Sequence, residues 1–389
     1  MIVTYRMRPF AGVPRGGPQF DLYAHGGGIS TGGMALFVVP ERLGNVRLRV
    51  RWDLAQLATG SIAASTYGAG GLDLAGPVDR IIQAYYMAGR LGHYSAGAPS
   101  GFHAYWLGQT QFDAAKEMAW GYQAYENLRQ FHRDTTTAAY HVFVRAIPGA
   151  TATLGGTALQ NSFMVGVPAG PLDTARTAPR NTIAHEMGHM WIGGLTGGGT
   201  GGTTWFNEGM NVYYTRLLLM RAGLTTVDDY GRDLNASVSA YYANPYRNAS
   251  ADSLDRLGFS AGVGAGSAQN VPYARGSLYF ADMDARIRAA SGDTRRLDDV
   301  MLPLLAQRRS GVPLTPAMLI DAFVKEVGPA ARSAFDAVII RGETLEPHSN
   351  AFGPCFERRI RTDTVAGTIA SGFQWVRVAS VPDTRCRAW

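Results

Sequence analysis

Lysine and cysteine are scarce in this sequence, and it has no long apolar run and no block of like charge. Lysine occurs at positions 116 and 325 alone, so arginine supplies almost all the positive charge behind the net charge of +6. The basic residues are scattered, which argues against a nucleic-acid-binding stripe. No apolar stretch approaches the ~18–20 residues that span a bilayer, so no membrane span is predicted.

The two cysteines, Cys355 and Cys386, both lie in the last tenth of the chain. Two interpretations stay open: a disulfide that closes a C-terminal loop, or two separate buried thiols. A disulfide would favour an oxidising compartment, periplasmic or secreted. Residues 1–6 do not resemble a signal peptide, because no uninterrupted apolar segment follows the charge, and a truncated start is compatible with them.

The composition, 46% hydrophobic and 17% charged over 389 residues, is typical of a globular protein with two or three domains. Glycine-rich, alternating segments predict a mostly β N-terminal domain at residues 1–105. Helical spacing dominates residues 106–345, and the tail, 346–389, is predicted to be extended. The fold class is therefore α+β, and the oligomeric state is not predicted.

Periodicity places the individual elements. Strands are predicted at 36–39, 46–52, 139–145, 157–167 and 373–378, and residues 81–87 fit either strand or helix. Helices are predicted at 112–132, 181–192, 205–221, 227–242, 271–290, 297–306, 316–327 and 331–340. Asn181 is the expected N-cap of the second helix, and Thr315 caps the seventh.

The segment His185-Glu186-Met187-Gly188-His189 carries the clearest chemistry. Residues four apart lie on one face of a helix, so both histidines can bind one metal ion. Glu186 is rotated beside that ion, where it can hold a water. A catalytic zinc needs a third ligand and an open position. Glu208, which 18 intervening residues separate from His189, can supply it from a second, antiparallel helix.

This pattern resembles the gluzincin metallopeptidases, and the 18-residue gap with Asn-Glu-Gly resembles the alanyl aminopeptidase family. The resemblance implies a thermolysin-like catalytic domain with one zinc ion bound by His185, His189 and Glu208. It makes Glu186 the general base for peptide hydrolysis. Val-Pro-Tyr-Ala-Arg-Gly at 271–276 resembles the family's Val-Pro-Tyr-x-Lys-Gly, whose tyrosine stabilises the oxyanion; here that is Tyr273.

A third likeness departs from the family pattern. The alanyl aminopeptidases carry Gly-Ala-Met-Glu-Asn on an edge strand, and the glycyl aminopeptidases carry Gly-Gly-Leu-Glu-His; the glutamate holds the substrate's free amine. Here Gln160 takes the place of that glutamate and Asn161 follows it. A neutral amide accepts a hydrogen bond but offers no countercharge. An aminopeptidase is predicted, with a zinc endopeptidase as the alternative.

Parts of the sequence also fit two functions of other classes. Gly258-Phe259-Ser260-Ala261-Gly262 fits a serine esterase elbow, with His25-Gly26-Gly27-Gly28 as oxyanion motif and His348 as the histidine. Coil follows Ser260 where that elbow requires a helix. A non-catalytic peptide-binding module is the other alternative, which the presence of Glu186 and Tyr273 disfavours.

Overall fold

A computed structural model describes residues 2–40, 43–97, 101–136, 138–197, 202–258, 266–365 and 368–389. The chain divides into two compact units. The first contains Met1–Arg129 and Asp134–Met190, and the second Gln130–Arg133 and Trp191–Trp389. The domain boundaries at 105 and 345 stay a prediction.

The first unit contains most of the strands. In chain order its elements are β1 Tyr23–His25, β2 Gly28–Gly32, β3 Val46–Val50, β4 Ile62–Ser65, β5 Gly68–Ala69, β6 Leu72–Gly76, α1 Asp79–Ile82, β7 Tyr85–Gly89, β8 Gly92–Ala96, β9 Phe102–Leu107, α2 Ala114–Phe131, β10 Tyr140–Ile147, β11 Gly155–Leu159, β12 Ser162–Pro168 and α3 Arg180–Gly188.

These strands form two main sheets, and α3 contacts two strands of the second sheet, β11 and β12. One five-stranded sheet has the order β1-β2-β7-β4-β5, and a second has β11-β12-β10-β9-β8. Their facing side chains form one apolar core that includes Tyr85, Met87, Phe143 and Met164. In the second sheet β10 is parallel to β9 and β12. It is buried throughout, as a central parallel strand is expected to be. β11 lies at the edge of this sheet.

Several predicted elements of this unit are confirmed, among them β3, α2 and β10, and residues 81–87 contain both a helix end and a strand. The strand at 36–39 is wrong: a 3-10 turn, Gly33–Ala35, precedes these residues, and the side chains of Leu36, Phe37 and Val39 pack on a small apolar core without strand pairing. The strand at 157–167 is also wrong. Two antiparallel strands occupy it, because Asn161 adopts a left-handed conformation, φ 54°.

The second unit is mainly helical, with one hairpin before its last helix. Its elements are α4 Thr204–Asn207, α5 Gly209–Arg221, α6 Val227–Tyr242, α7 Ala251–Leu257, α8 Asn270–Ser291, α9 Leu297–Arg309, α10 Pro316–Val327, α11 Ala330–Phe335, a π-helical segment Asp336–Ile340, β13 Phe356–Val365, β14 Thr368–Arg377 and α12 Asp383–Arg387.

The helices predicted at 227–242 and 316–327 are confirmed at both ends, and the Thr315 side chain caps α10 as expected. The sequence reading missed α7, β13 and α12. Cys355 and Cys386 form a disulfide with Cα atoms 5.6 Å apart, which settles the two interpretations of the cysteines. The α+β class, with a β-rich N-terminal region and C-terminal helices, is confirmed. In the part of the chain that the structure describes, no helix has the length and apolarity needed to cross a membrane.

Candidate metal centre

Helix α3 presents two histidines on one face. His185 lies inside the helix, and His189 follows its last residue with φ −60° and ψ −19°, angles that still belong to a right-handed helix. Both side chains are half-buried. Their Nε2 atoms are 3.2 Å apart, and the rings meet edge to face with centroids 4.7 Å apart. Two imidazole nitrogens that converge in this way can bind the same cation.

The start of α3 differs from the prediction. Pro179 is the N-cap, so Asn181 lies inside the helix and the predicted cap is wrong. The first helical residue, Arg180, instead makes a bidentate pair with Glu117 of α2, at 2.8 and 2.9 Å. The Glu117 side chain is only 2% exposed. This buried pair attaches the beginning of α3 to α2, and sequence spacing held no signal for it.

Glu186 points away from solvent, with 7% of its surface exposed. Its side chain lies against the edge strand β11. Two phenols of the same unit, Tyr85 and Tyr140, have their pKa raised well above the ordinary value, first by burial and next by the Glu186 carboxylate. Both therefore stay protonated and act as hydrogen-bond donors. The base predicted from sequence thus lies in a dry, packed environment.

Glu208 lies between two helices that the sequence predicted as one. It separates α4 from α5 yet keeps helical angles, φ −89° and ψ −49°. Its main-chain N–H donates to Thr204 and its carbonyl accepts from Val212. The Asn207 side-chain amide donates to Glu208 Oε1 at 3.1 Å. The asparagine of the Asn-Glu-Gly motif therefore orients the carboxylate.

Two motif glycines let this helical segment approach α8. A β-carbon built on Gly209 would lie 2.5 Å from the Cα of Gly276, and one built on Gly276 would lie 2.1 Å from the carbonyl oxygen of Trp205. Neither position has room for a side chain. The contact joins the turn after Glu208 to the helix that begins near Tyr273. Sequence reasoning missed these positioning glycines, although both motifs contain them.

Tyr273 lies in the first turn of α8 and is half-buried. Two residues later, Arg275 stands where the Val-Pro-Tyr-x-Lys-Gly motif that this segment resembles has lysine. It is buried, and its Nη2 donates to the carbonyls of Arg247 and Ala249 at 2.8 and 2.7 Å. A guanidinium can bind two carbonyls at once, so the arginine fixes the start of this helix against the preceding loop.

The predicted metal ligands come together in the structure. The ligand atoms of His185, His189 and Glu208 all lie within 4.8 Å of one another. Among the described residues, no other group of three histidine, cysteine or acidic side chains meets this criterion. Two imidazoles and one carboxylate are a donor set that suits zinc and leaves a coordination position open, so the residues fit the predicted metal.

Gln160 and Asn161 form the two-residue turn between β11 and β12, so Gln160 follows the edge strand and is exposed. The Gln160 carbonyl accepts from the Ser162 hydroxyl at 3.3 Å, and the Asn161 carbonyl accepts from the main-chain N–H of His141. The left-handed backbone angle at Asn161 allows the two-residue turn to reverse the chain. Their role in substrate binding stays a prediction.

Several residues of the esterase alternative have a structural role in the fold. Gly26 and Gly27, with φ 56° and 75°, form the tight turn of the β1–β2 hairpin, a conformation that favours glycine. His25 is buried beside the Ser30 hydroxyl, and burial lowers its pKa to about 4. His348 Nδ1 lies 2.6 Å from Asp282. Ser260 lies outside the described residues.

One family model and several solved structures resemble this chain. A family model described as M61 glycyl aminopeptidase matches residues 199–279. An aminopeptidase N family protein from Idiomarina loihiensis is 15% identical with a TM-score of 0.71, covering 89% of this chain and 64% of that one. A mutant M1 zinc metallopeptidase from Deinococcus radiodurans is 15% identical, with a TM-score of 0.50 and coverage of 85% and 73%. No match is found among curated proteins.

The chain thus spans less than two thirds of the Idiomarina protein. At 15% identity, these two structures show a similarity of fold alone. That fold agrees with the thermolysin-like class expected from the sequence. The matched family segment contains both Glu208 and Tyr273. In its fold and in this segment, the chain resembles the gluzincin aminopeptidases, as its motifs predicted.

Proposed function

We propose that the protein is a zinc-dependent peptidase, and most specifically an aminopeptidase. The observation that carries the proposal is the meeting of His185, His189 and Glu208, with ligand atoms within 4.8 Å, beside the buried Glu186. These three residues would hold one zinc ion. Zinc in such a site lowers the pKa of a bound water towards ~7 and polarises a substrate carbonyl.

Glu186 would act as the general base. Its carboxylate accepts a proton from the attacking water and later delivers it to the leaving amine, so the base is restored after each turnover. The burial of Glu186 against β11 supports this role, because a carboxylate held in one position loses little freedom in the transition state. Tyr273 would donate a hydrogen bond to the oxyanion that forms as the peptide carbonyl is attacked.

Removing the hydroxyl of Tyr273 tests its proposed role as the hydrogen-bond donor to the oxyanion. For Tyr273→Phe we expect kcat to fall about 10²–10³-fold with little change in KM, because an oxyanion donor acts mainly in the transition state. Steady-state kinetics on one peptide measure both constants. Tyr67→Phe is the matched control, since its hydroxyl donates to the Arg80 carbonyl at an exposed position. A rise in KM alone would make Tyr273 a binding residue.

The substrate would be a peptide with a free N-terminus, held near Gln160 and Asn161. A specific observation favours the endopeptidase alternative: Gln160 is neutral and lies in an exposed turn, so it offers a substrate ammonium no countercharge. Peptidase chemistry is common to both alternatives. Only recognition of the N-terminus separates them.

Acetylation of the substrate tests the proposed function. We expect the zinc-loaded protein to cleave a short peptide with a free amine at least about tenfold more efficiently than its N-acetylated form, the difference one hydrogen bond to a charged group supplies. Loss of the intact peptide and the masses of its products, followed by mass spectrometry, measure both rates and locate the cleaved bond. Equal rates would favour the endopeptidase. Absence of zinc-dependent cleavage of either peptide would favour a non-catalytic binding module.

The disulfide bears on the compartment in which the protein is found. Disulfides persist in oxidising compartments and are rare in the cytosol of most organisms. The bond between Cys355 and Cys386 therefore supports a periplasmic or secreted peptidase.

A further inference from the structure

Glycine at position 156 leaves the space that the Glu186 side chain fills. A β-carbon built on Gly156 would lie 2.4 Å from Glu186 Cγ and 2.8 Å from both Cδ and Oε1. Such distances are well below van der Waals contact. Gly156 does not have a left-handed backbone, so a methyl group there meets an obstacle of space alone and would have to displace the Glu186 side chain. The main chain of β11 therefore serves as the surface on which Glu186 rests.

Strand β11 can hold Glu186 only if the strand itself is held. On one side it pairs with β12, in the register Gly156 to Val165, and among the described residues no strand of its sheet lies on its other side. The Tyr85 hydroxyl, from β7 in the facing sheet, donates to the carbonyl of Thr157 at 2.9 Å. Tyr85 is completely buried. A rigid phenol thus connects the facing sheet to the residue next to Gly156.

The Thr157 side chain provides a second attachment. Its Oγ1 accepts from the main-chain N–H of Gln19 at 2.9 Å and donates to the Gly156 carbonyl at 2.7 Å. Gln19 is fixed in turn by Arg145, whose Nε and Nη2 donate to Gln19 Oε1 at 3.1 and 2.9 Å. Arg145 and Gln19 are both buried. A continuous hydrogen-bond network therefore runs from the core of the unit to Gly156.

We propose that Tyr85 and Gly156 are positioning residues that set the place of the Glu186 carboxylate: Tyr85 fixes β11, and Gly156 leaves room for Glu186 against it. Neither residue reacts with the substrate. The inference rests on the proposed function in one respect, that Glu186 is the base. The N-terminal sheet thereby contributes to the site, because its Tyr85 determines where the base stands.

Two pairs of matched variants test the proposal. Tyr85→Phe removes the hydroxyl bonded to β11. Tyr86→Phe removes an equally buried hydroxyl from the adjacent residue, bonded to the Ile81 carbonyl at 3.0 Å, on the other face of β7. Gly156→Ala adds a methyl group against Glu186. Gly44→Ala adds the same group where nothing lies within 4 Å of it. For each variant, kcat, KM, zinc per chain, thermal midpoint and the crystallographic position of Glu186 are measured.

We expect all four variants to bind one zinc ion and the two tyrosine variants to lose similar thermal stability. Displacement of a reacting group by ~1 Å can reduce a rate by about 10²-fold. We accordingly expect kcat to fall about 10²-fold in Gly156→Ala and about tenfold in Tyr85→Phe, with KM changed less than about twofold, while the two controls stay near wild type. The Glu186 carboxylate should be displaced in Gly156→Ala and Tyr85→Phe crystals.

Equal kcat values for Tyr85→Phe and Tyr86→Phe would overturn the role of Tyr85, as would a rise in KM alone. Wild-type kcat in Gly156→Ala, or an unmoved Glu186 in its crystals, would overturn the role of Gly156. If the wild-type protein cleaves no peptide, the proposed function fails separately. The crystallographic comparison then still decides whether these residues position Glu186.

Discussion

Replacing Glu186 by glutamine is expected to abolish nearly all peptide hydrolysis while leaving one zinc ion per chain. The amide has almost the same shape as the carboxylate, so the buried site against β11 stays filled. It cannot accept the proton of the attacking water. General base catalysis contributes up to about 10⁴-fold, and we expect kcat to fall by about that factor, or about 5 kcal/mol of transition-state stabilisation.

The measurement combines single-peptide kinetics with metal analysis of the same preparation. Glu343→Gln is the isosteric control, because Glu343 is exposed and pairs only with the neighbouring Arg341 in the described contacts. Its kcat should equal that of the wild type. Turnover by Glu186→Gln within about tenfold of the wild type would exclude Glu186 as the base. Loss of zinc from this variant would instead make Glu186 part of the metal site.

Removal of the metal is expected to have an equally large effect. Dialysis against a chelator should reduce hydrolysis to background, and added zinc should restore it, because the proposed chemistry needs a cation to acidify the water and polarise the carbonyl. Alanine at His189 should prevent zinc binding, since two protein ligands rarely retain a catalytic zinc. Metal content and activity are then expected to fall together.

A histidine outside the site provides the control for the last variant. His93 lies exposed on β8, and His93→Ala should bind zinc and cleave peptide as the wild type does. Activity that is indifferent to chelation and blocked by a serine-directed phosphonate would contradict the metal mechanism and favour the esterase alternative. Full zinc occupancy in His189→Ala would exclude His189 as a ligand.

Much of the helical unit could be predicted from the sequence, because its boundaries are marked by local chemistry. Thr226 and Thr315 each accept a hydrogen bond from a main-chain N–H three residues later, so the starts of α6 and α10 are readable from a few adjacent residues. The spacing of His185 and His189 predicted their common face for the same reason. Such features depend on neighbours in the chain.

The remaining features depend on residues distant in sequence. A hairpin turn at Gln160 and Asn161 lies where one continuous strand is predicted. An asparagine alone does not predict a left-handed backbone angle. The Gly209–Gly276 contact and the pair between Glu117 and Arg180 each join residues more than 60 positions apart. No periodic pattern records a contact of this kind. The reaction was therefore easier to predict than the substrate, which depends on such placements.

The disulfide determines which fragments stay together after a proteolytic cut near the C-terminus. Cys355 and Cys386 are 31 residues apart and enclose the whole β13–β14 hairpin and most of α12 in one loop. A single proteolytic cut anywhere inside that loop opens the loop but leaves the two fragments joined by the disulfide as one covalent molecule. Trp389, whose ring lies near the guanidinium groups of Arg221 and Arg288, then stays attached to the protein until a reductant separates the pieces.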